Sequence, residues 1–303
     1  MNRLENMETF VSVVETGSIT GTANRLHVAK SAVSRRLKEL ESYLGVELFH
    51  RTTRKMHLTD TGQTYYRDCL RIIDDIVESE LTTTQAHSIL KGNIKVALPS
   101  TFGLMHVGPA INDFSQTYPQ ITFDLDFNDR EVDLMQEGFD LAIRIANLPD
   151  SSLIARRLAP INGMTCASPD YLKKWGTPQT LAELINHRSL VYTLKKDYEH
   201  WQFIDSNHHT NTIKLQPYMK ASDGEYLREA AVKGMGITIL PTFIAYQEIQ
   251  NGTLITLLDQ YRFPQLNAYA IYPPTRHLSQ RVRTFIDFLA QRFSGTPYWD
   301  VGV

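Results

Sequence analysis

Cysteine is nearly absent from this chain: Cys69 and Cys166 are the only two in 303 residues. They stand far apart in sequence, so no disulfide framework is implied and both are expected to be ordinary reduced thiols. A redox-sensing role for either would need a thiol of low pKa, and nothing in the flanking residues points to one. Long apolar runs are missing as well. None approaches the roughly 18 residues that a membrane helix needs, and the N-terminus has no signal-peptide pattern. A cytoplasmic protein with no membrane partner is expected. Charge of one sign is not in excess either, with 31 Lys and Arg against 33 Asp and Glu. A partner attracted by charge must therefore be met by a local cluster.

The common signatures of catalysis and cofactor binding are absent too. There is no Gly-x-Ser-x-Gly, no phosphate loop, and no Cys-x-x-Cys or His-x-x-x-His pair. Lys233-Gly234-Met235-Gly236 contains a Gly-x-Gly, but it lies ahead of an expected strand, whereas a dinucleotide site needs it behind one. His208-His209 reads as a polar loop pair and a poor metal candidate. No enzyme activity, catalytic residue, cofactor or metal is expected.

What is present is a localised basic segment. Arg25 to Lys55 holds eight Lys or Arg against three Asp or Glu, on a chain whose net charge is -2. The surrounding pattern is helical. Met7, Phe10, Val11 and Val14 recur at i, i+3, i+4, i+7, which predicts a first helix with one apolar face, and Gly17 supplies a left-handed stop. Ser18 is a good N-cap for a short helix through Ala23 to Leu26. After a turn at His27-Val28-Ala29, a helix is predicted from about Lys30 to Leu44. Val33, Leu37, Leu40 and Leu44 form its buried stripe, while Ser31, Ser34, Arg35 and Lys38 share another face. Gly45 ends that helix. Leu48-Phe49 and Lys55 to Leu58 read as short strands around a cation-rich turn that carries Arg51 and Arg54. A helix of this kind fits the DNA major groove, with short hydroxyls allowing close approach and an arginine reaching guanine or phosphate. The hairpin suits the flanking backbone or minor groove.

The succession is specific enough to identify a family. The carrying residues are Phe10, Gly17-Ser18, Ala23, Leu26, Ser31 through Leu37, Leu40-Glu41, Leu44-Gly45, Leu48 through Arg51, and Leu58-Thr59-Asp60-Thr61-Gly62. Together they resemble the N-terminal domain of the LysR-type transcriptional regulators. Thr22 departs from the pattern, which usually has a second alanine there. Beyond this segment Thr59 is expected to cap a long helix to about Ser88. Tyr66, Leu70, Ile73, Val77 and Leu81 recur close to a coiled-coil seam; packing on its own domain is the alternative. In the family the corresponding helix pairs with its copy, so the resemblance implies a homodimer, with a tetramer and DNA bending also carried over from the family.

From Asn93 the pattern changes to strands alternating with helices, the mark of an α/β sheet. Strands are predicted at Ile94–Leu98, Ile121–Phe127, Asp140–Ile145, Leu153–Arg157, Met164–Ala167, Leu190–Tyr192, Ile237–Leu240 and Ala268–Tyr272. Residues 99–103 read as a loop before a helix reaching Tyr118, and Glu131–Glu137 as a short helix. This part resembles the LysR-type effector domain, nearest a subgroup with Asp-Arg-x-Val-Asp-Leu and Glu-Gly-Phe-Asp-Leu-Ala-Ile-Arg-Ile, here within Asp129 to Ala159. The fold class expected is α plus α/β: a winged helix-turn-helix (1–60), a linker and dimerisation helix (61–90), and a two-lobed effector domain like the periplasmic solute-binding proteins (91–303). Lobe I takes about 91–165 and 267–303, and lobe II about 166–266.

Effector contacts are expected where strands end. Ser100 and Thr101 start a helix, where free N–H groups favour an anion. Asn128 follows a strand. Arg144 could pair with a carboxylate or form an internal salt bridge to Asp129 or Asp140. Tyr192 and Asp223 face from the second lobe. An aspartate stands at 223 where much of the subgroup has asparagine, which argues against a simple dianion. The expected function is a DNA-binding regulator that contacts double-stranded DNA through Lys30, Ser31, Ser34, Arg35, Lys38, Arg51 and Arg54. Its effector is expected to be a small molecule, either an organic acid or an aromatic compound. The rival readings are an exported solute-binding protein and a small-molecule enzyme on a two-lobed fold. The first lacks an export signal and the second lacks catalytic motifs.

Overall fold

The computed structural model describes residues 2–50, 56–83, 90–147, 154–273 and 278–302; side chains at 71, 74, 75 and 77–83 are not described. The chain divides into two compact units, Met1–Gly92 with His277–Gln280, and Asn93–Arg276 with Arg281–Val303. No helix among the described residues is long and apolar enough to cross a membrane.

The first unit contains α1 (Arg3–Thr16), α2 (Ile19–Arg25), α3 (Lys30–Leu44), β1 (Phe49–His50), β2 (His57–Leu58) and α4 (Asp60–Thr83). Gly17 and Gly45 close α1 and α3 in the left-handed conformation, as expected of terminal glycines. The Ser18 hydroxyl caps α2 by accepting from the Gly21 amide at 3.0 Å. Phe10, Val13, Val33, Leu40, Leu48 and Cys69 are fully buried together, so α1, α3, the hairpin and α4 share one core. The buried Thr22 fits this core because its hydroxyl donates to Ser18 O at 3.0 Å and pairs with the Thr16 hydroxyl at 2.7 Å. The capping hydroxyl of Thr59 accepts from the Gly62 amide at 2.9 Å. Only glycine fits at 62, since a Cβ there would lie 2.0 Å from the Leu48 carbonyl oxygen.

Two residues of the expected seam on α4 pack on this unit's own core, in keeping with the alternative reading. Tyr66 and Ile73 pack on this core beside Cys69 and are half-buried there. Ile72 and Ile76 lie on the other side of α4, exposed and half-buried respectively, and Tyr65, which packs on Phe10 in the core, reaches the edge of that side. With Arg3, Leu4, Met7, Tyr43 and Leu44 they line a groove of about 460 Å³. Val77 and Leu81 lie outside the described side chains, as does the far end of the predicted helix at 84–89.

The second unit is built on two five-stranded sheets. The strands and helices in chain order are β3 (Gly92–Leu98), α5 (Ser100–Phe102), α6 (Gly108–Thr117), β4 (Ile121–Phe127), α7 (Leu134–Glu137), β5 (Leu141–Ala146), β6 (Ile154–Ile161) and β7 (Gly163–Ala167). They continue through α8 (Pro169–Trp175), β8 (Ser189–Tyr192), β9 (His200–Ile204), β10 (Thr210–Lys214), β11 (Pro217–Ala221), α9 (Gly224–Val232) and β12 (Ile237–Pro241). The last are α10 (Thr242–Gln250), β13 (Ile255–Leu257), β14 (Leu266–Tyr272) and α11 (Gln280–Arg292). One sheet has the order β4-β3-β5-β14-β6 and the other β11-β8-β12-β7-β13. In the first, β3 and β5 are parallel and β14 runs antiparallel to both neighbours. In the second, β8 is parallel to β11 and β12, while β7 opposes β12 and β13. The chain therefore passes from one lobe to the other through Asn162 and returns between β13 and β14.

Three local expectations are corrected. The segment after β3 is helical from Ser100, not a loop, and a π-helical turn at Gly103–Val107 joins α5 to α6. The helix expected at 131–137 begins only at Leu134, where Asp133 accepts from the amides of Met135 and Gln136. The hairpin β9/β10 and the strands β11 and β13 are additional to the predicted set.

Candidate nucleic-acid interface and effector cleft

The outer face of α3 meets the requirements of a surface that approaches a duplex. Val33, Leu37 and Leu40 turn into the core, which leaves Ser31, Arg35 and Lys38 exposed and Ser34 half-buried between them. With Ser42, Tyr43 and Glu39 they line a shallow concavity of about 800 Å³. Arg35 has one acidic neighbour, Glu39 at 3.7 Å, and remains 72% exposed, so the pair is weak and easily exchanged for a phosphate or base. Arg36 is different: it pairs with Glu5 on α1 and is 16% exposed, and so holds α3 to the core. Lys30 opens the helix and is exposed. No side chain caps that helix start, so its first amides are available to a phosphate beside Lys30. Arg51 and Arg54 lie outside the described residues.

Glu41 gives the hairpin its place beside this face, a role the spacing of apolar residues does not reveal. Its Oε1 accepts from the amide of Leu48 at 2.8 Å and that of Phe49 at 3.4 Å. Both residues are buried, so the carboxylate satisfies amides that the short β1 strand leaves unpaired. The thiols near and far are inert. Burial pushes Cys69 up to about 11 even though Tyr65 hydrogen-bonds it, and burial pushes Cys166 up to about 12.

In the second unit, the residues expected to meet an effector sit at or near strand ends. Ser100 and Asn128 follow the ends of β3 and β4, Arg144 lies within β5 two residues before its end and opposite Tyr269 of β14, and Tyr192 and Asp223 stand at or just past the ends of β8 and β11. The Ser100 amide donates to Asp129 Oδ1 at 3.2 Å, so the first amide of this helix is given to an internal carboxylate. Asp223 does the same for α9, accepting from the Tyr226 amide at 2.7 Å. Asn128 bonds its own loop, with Oδ1 accepting from the Arg130 amide at 3.1 Å. The Arg144 guanidinium donates to the Arg130 carbonyl at 2.6 Å. Burial lowers its pKa, while Glu131 and Asp129 oppose that effect. Thr101 is half-buried in the same turn. Tyr192 is held protonated: burial first, then Asp129 from one lobe and Asp223 from the other, push it up to about 12.

The Gly-x-Gly at 234–236 is explained by packing. A Cβ at Gly236 would lie 2.4 Å from the Arg188 carbonyl oxygen, where β12 enters the sheet beside β8. No group of three or more His, Cys, Asp or Glu among the described residues is arranged to hold a metal.

Comparison with known proteins agrees with this architecture. Residues 4–63 match the family described as bacterial regulatory helix-turn-helix protein, lysR family, and residues 87–294 match the LysR substrate binding domain. The regulator CrgA of Neisseria meningitidis serogroup B is 36% identical over 290 residues, covering 95% of this chain and 96% of that protein. The solved structure of CrgA, titled as a LysR-type transcriptional regulator, aligns with a TM-score of 0.63 at 35% identity, covering 96% of this chain and 99% of that one. The full-length virulence activator AphB of Vibrio cholerae aligns with a TM-score of 0.61 at 28% identity over the same shares.

Proposed function

The chain belongs to the LysR family of bacterial helix-turn-helix transcriptional regulators, and from that premise we propose which of its residues read DNA and which meet the effector. It is a DNA-binding regulator with an effector-binding domain, and not an enzyme. Lys30, Ser31, Ser34, Arg35 and Lys38 enter the major groove and contact bases or adjacent phosphates. Arg51 and Arg54 anchor the hairpin to the backbone. The observation that carries this reading is the single solvent-facing side of α3 on which Ser31, Ser34, Arg35 and Lys38 meet.

Residues 1–60 act as the reading head, 61–90 as the dimerisation helix, and 91–303 as the effector domain, at work in the cytoplasm. Two copies join through the groove beside Tyr65, Ile72 and Ile76, and dimers pair into a tetramer. The motifs between Asp129 and Ala159 support a place in the subgroup that carries them. The effector binds between Ser100, Thr101, Asn128 and Arg144 on one side and Tyr192 and Asp223 on the other, and alters closure of the lobes. Asp129 and Asp223 already occupy the two helix starts, which favours an aromatic effector over a simple organic anion.

The test is a titration of promoter DNA and random DNA with the full chain. Arg35→Ala is expected to cost ~1–3 kcal/mol on the promoter site and far less on random sequence. Arg54→Ala is expected to weaken both alike and to flatten the salt dependence. Equal losses on both DNAs for Arg35→Ala would remove that residue from base reading.

A further inference from the structure

Beyond α11 the chain ends in a short strap that neither DNA binding nor the effector cleft employs. It contains a single helical turn, Tyr298–Asp300, and yet Trp299 at its centre is completely buried. The Trp299 ring lies 4.5 Å from the His106 ring and 5.6 Å from Phe102, both on the helical segment that follows β3. Phe102 in turn meets Phe243 of α10 edge-on at 5.1 Å. The segment after β3 packs on the first sheet and α10 on the second, so one aromatic cluster spans both lobes.

The polar bonds run the same way. His106 Nε2 lies 3.1 Å from the Phe243 carbonyl oxygen, and Nδ1 lies 2.5 Å from the Tyr298 hydroxyl. A carbonyl only accepts, so Nε2 carries the ring proton and Nδ1 accepts from Tyr298. The strap then continues past the crossing point of the chain. Asn162, the residue between β6 and β7, donates to Asp300 Oδ2 at 2.9 Å. Its carbonyl accepts from the Thr242 amide at 2.9 Å, at the start of α10. Gln250, at the other end of α10, donates to the Val301 carbonyl at 3.1 Å. Residues 298–301 thus bond the first lobe, the crossing residue Asn162 and the far end of α10, and Asn162 in turn bonds its start.

We propose that this C-terminal strap is a third, non-covalent link between the lobes, and that it holds them at a fixed resting angle until an effector closes the cleft. It rests on the reading that effector binding alters lobe closure. The two covalent crossings at Asn162 and between β13 and β14 leave a rotation about their common line. A buried Trp with hydrogen bonds on either side of it restrains that rotation, because packed junctions have discrete arrangements and do not stretch.

The test measures the distance between the lobes in the full chain. Met135→Cys and Leu194→Cys place spin labels on exposed positions of the two lobes, and the native Cys69 and Cys166 are buried. Labelled chains are diluted into unlabelled copies so that one pair is read per assembly. Termination after Ser294, and Trp299→Ala, are expected to broaden or shift the distance distribution by more than about 2 Å, on the scale of a domain rearrangement. Tyr298→Phe with Asp300→Ala keeps the ring packing and removes polar bonds; it is expected to give a smaller change in the same direction, and it decides the matter if the truncated chain does not fold. Distances unchanged in a folded variant overturn the proposal. Promoter binding by the parent chain is measured in parallel. If the parent binds its promoter while the lobe distances stay fixed in every variant, the strap is refuted and the regulator reading stands. If the parent ignores the promoter while the distances shift, the regulator reading falls and the strap remains.

Discussion

Glu41 shows how much one side chain on a reading helix contributes away from the DNA. Its carboxylate points back at the hairpin and takes the amides of Leu48 and Phe49, which have no water to turn to. Removing the acceptor leaves a buried donor unpaired. Glu41→Ala is therefore expected to destabilise the first unit by ~1–3 kcal/mol in urea unfolding, and Glu41→Gln, which keeps an acceptor oxygen, by much less. A Glu41→Gln variant as unstable as the alanine would mean that the charge, not the hydrogen bond, holds the hairpin. At this scale the sequence was readable wherever a residue type had one dominant use. Gly17, Gly45, Ser18 and Thr59 cap as expected because their short side chains or left-handed backbone suit few other positions. Glu41, Asp129 and Asp223 were not readable, because an exposed acid, a cap and a ligand contact look alike until the partner amide is known.

Elements were legible in proportion to how far their burial followed one period. α3 runs from Lys30 to Leu44 as predicted because Val33, Leu37 and Leu40 mark its inner side without interruption. The hairpin of β9 and β10 is additional to the predicted strands although Trp201, Phe203, Ile204 and Ile213 favour one, because the polar run Asp205 to His209 and the residues His200, Gln202, Asn211 and Lys214 around it read as loop. On α4 the apolar period is legible, but it does not say which residues the unit's own core takes. Tyr66 and Ile73 repeat at seven residues just as Tyr65 and Ile72 do, and only the shared core with Cys69 shows that Tyr65, Tyr66 and Ile73 are engaged by this unit while Ile72 and Ile76 form the outward row. The outward row predicts where a second copy packs. Ile72→Asp with Ile76→Asp replaces no fully buried residue, and is expected to weaken the dimer by about 2 kcal/mol or more, roughly 30-fold in its dissociation constant. Sedimentation equilibrium reads this directly. The same substitution at Leu70, outside the groove, is expected to leave association unchanged.

Over the whole molecule, the cores are separate. The cluster around Phe10 and Leu40 shares no residue with the clusters around Phe203, Leu227 and Phe139 in the second unit. Unfolding is therefore expected in two steps, one for each unit, each answering to its own groups. Acid separates them. Burial pushes His106 down to about 4 from its ordinary value of 6.5. A histidine whose folded pKa is depressed takes up its proton first in the unfolded chain, so stability falls as pH drops from about 6.5 to about 4 and changes no further below that. A displacement of this size corresponds to ~3 kcal/mol for a group enclosed as fully as His106. Calorimetry between pH 7 and pH 4.5 is expected to lower the transition of the second unit progressively. His106→Gln, which starts from a less stable second unit, removes most of that dependence. Glu41→Ala lowers the other transition and leaves the acid response of the second in place. If the acid response persisted undiminished in His106→Gln, the titrating group would lie elsewhere. If Glu41→Ala moved both transitions together, the two cores would be coupled.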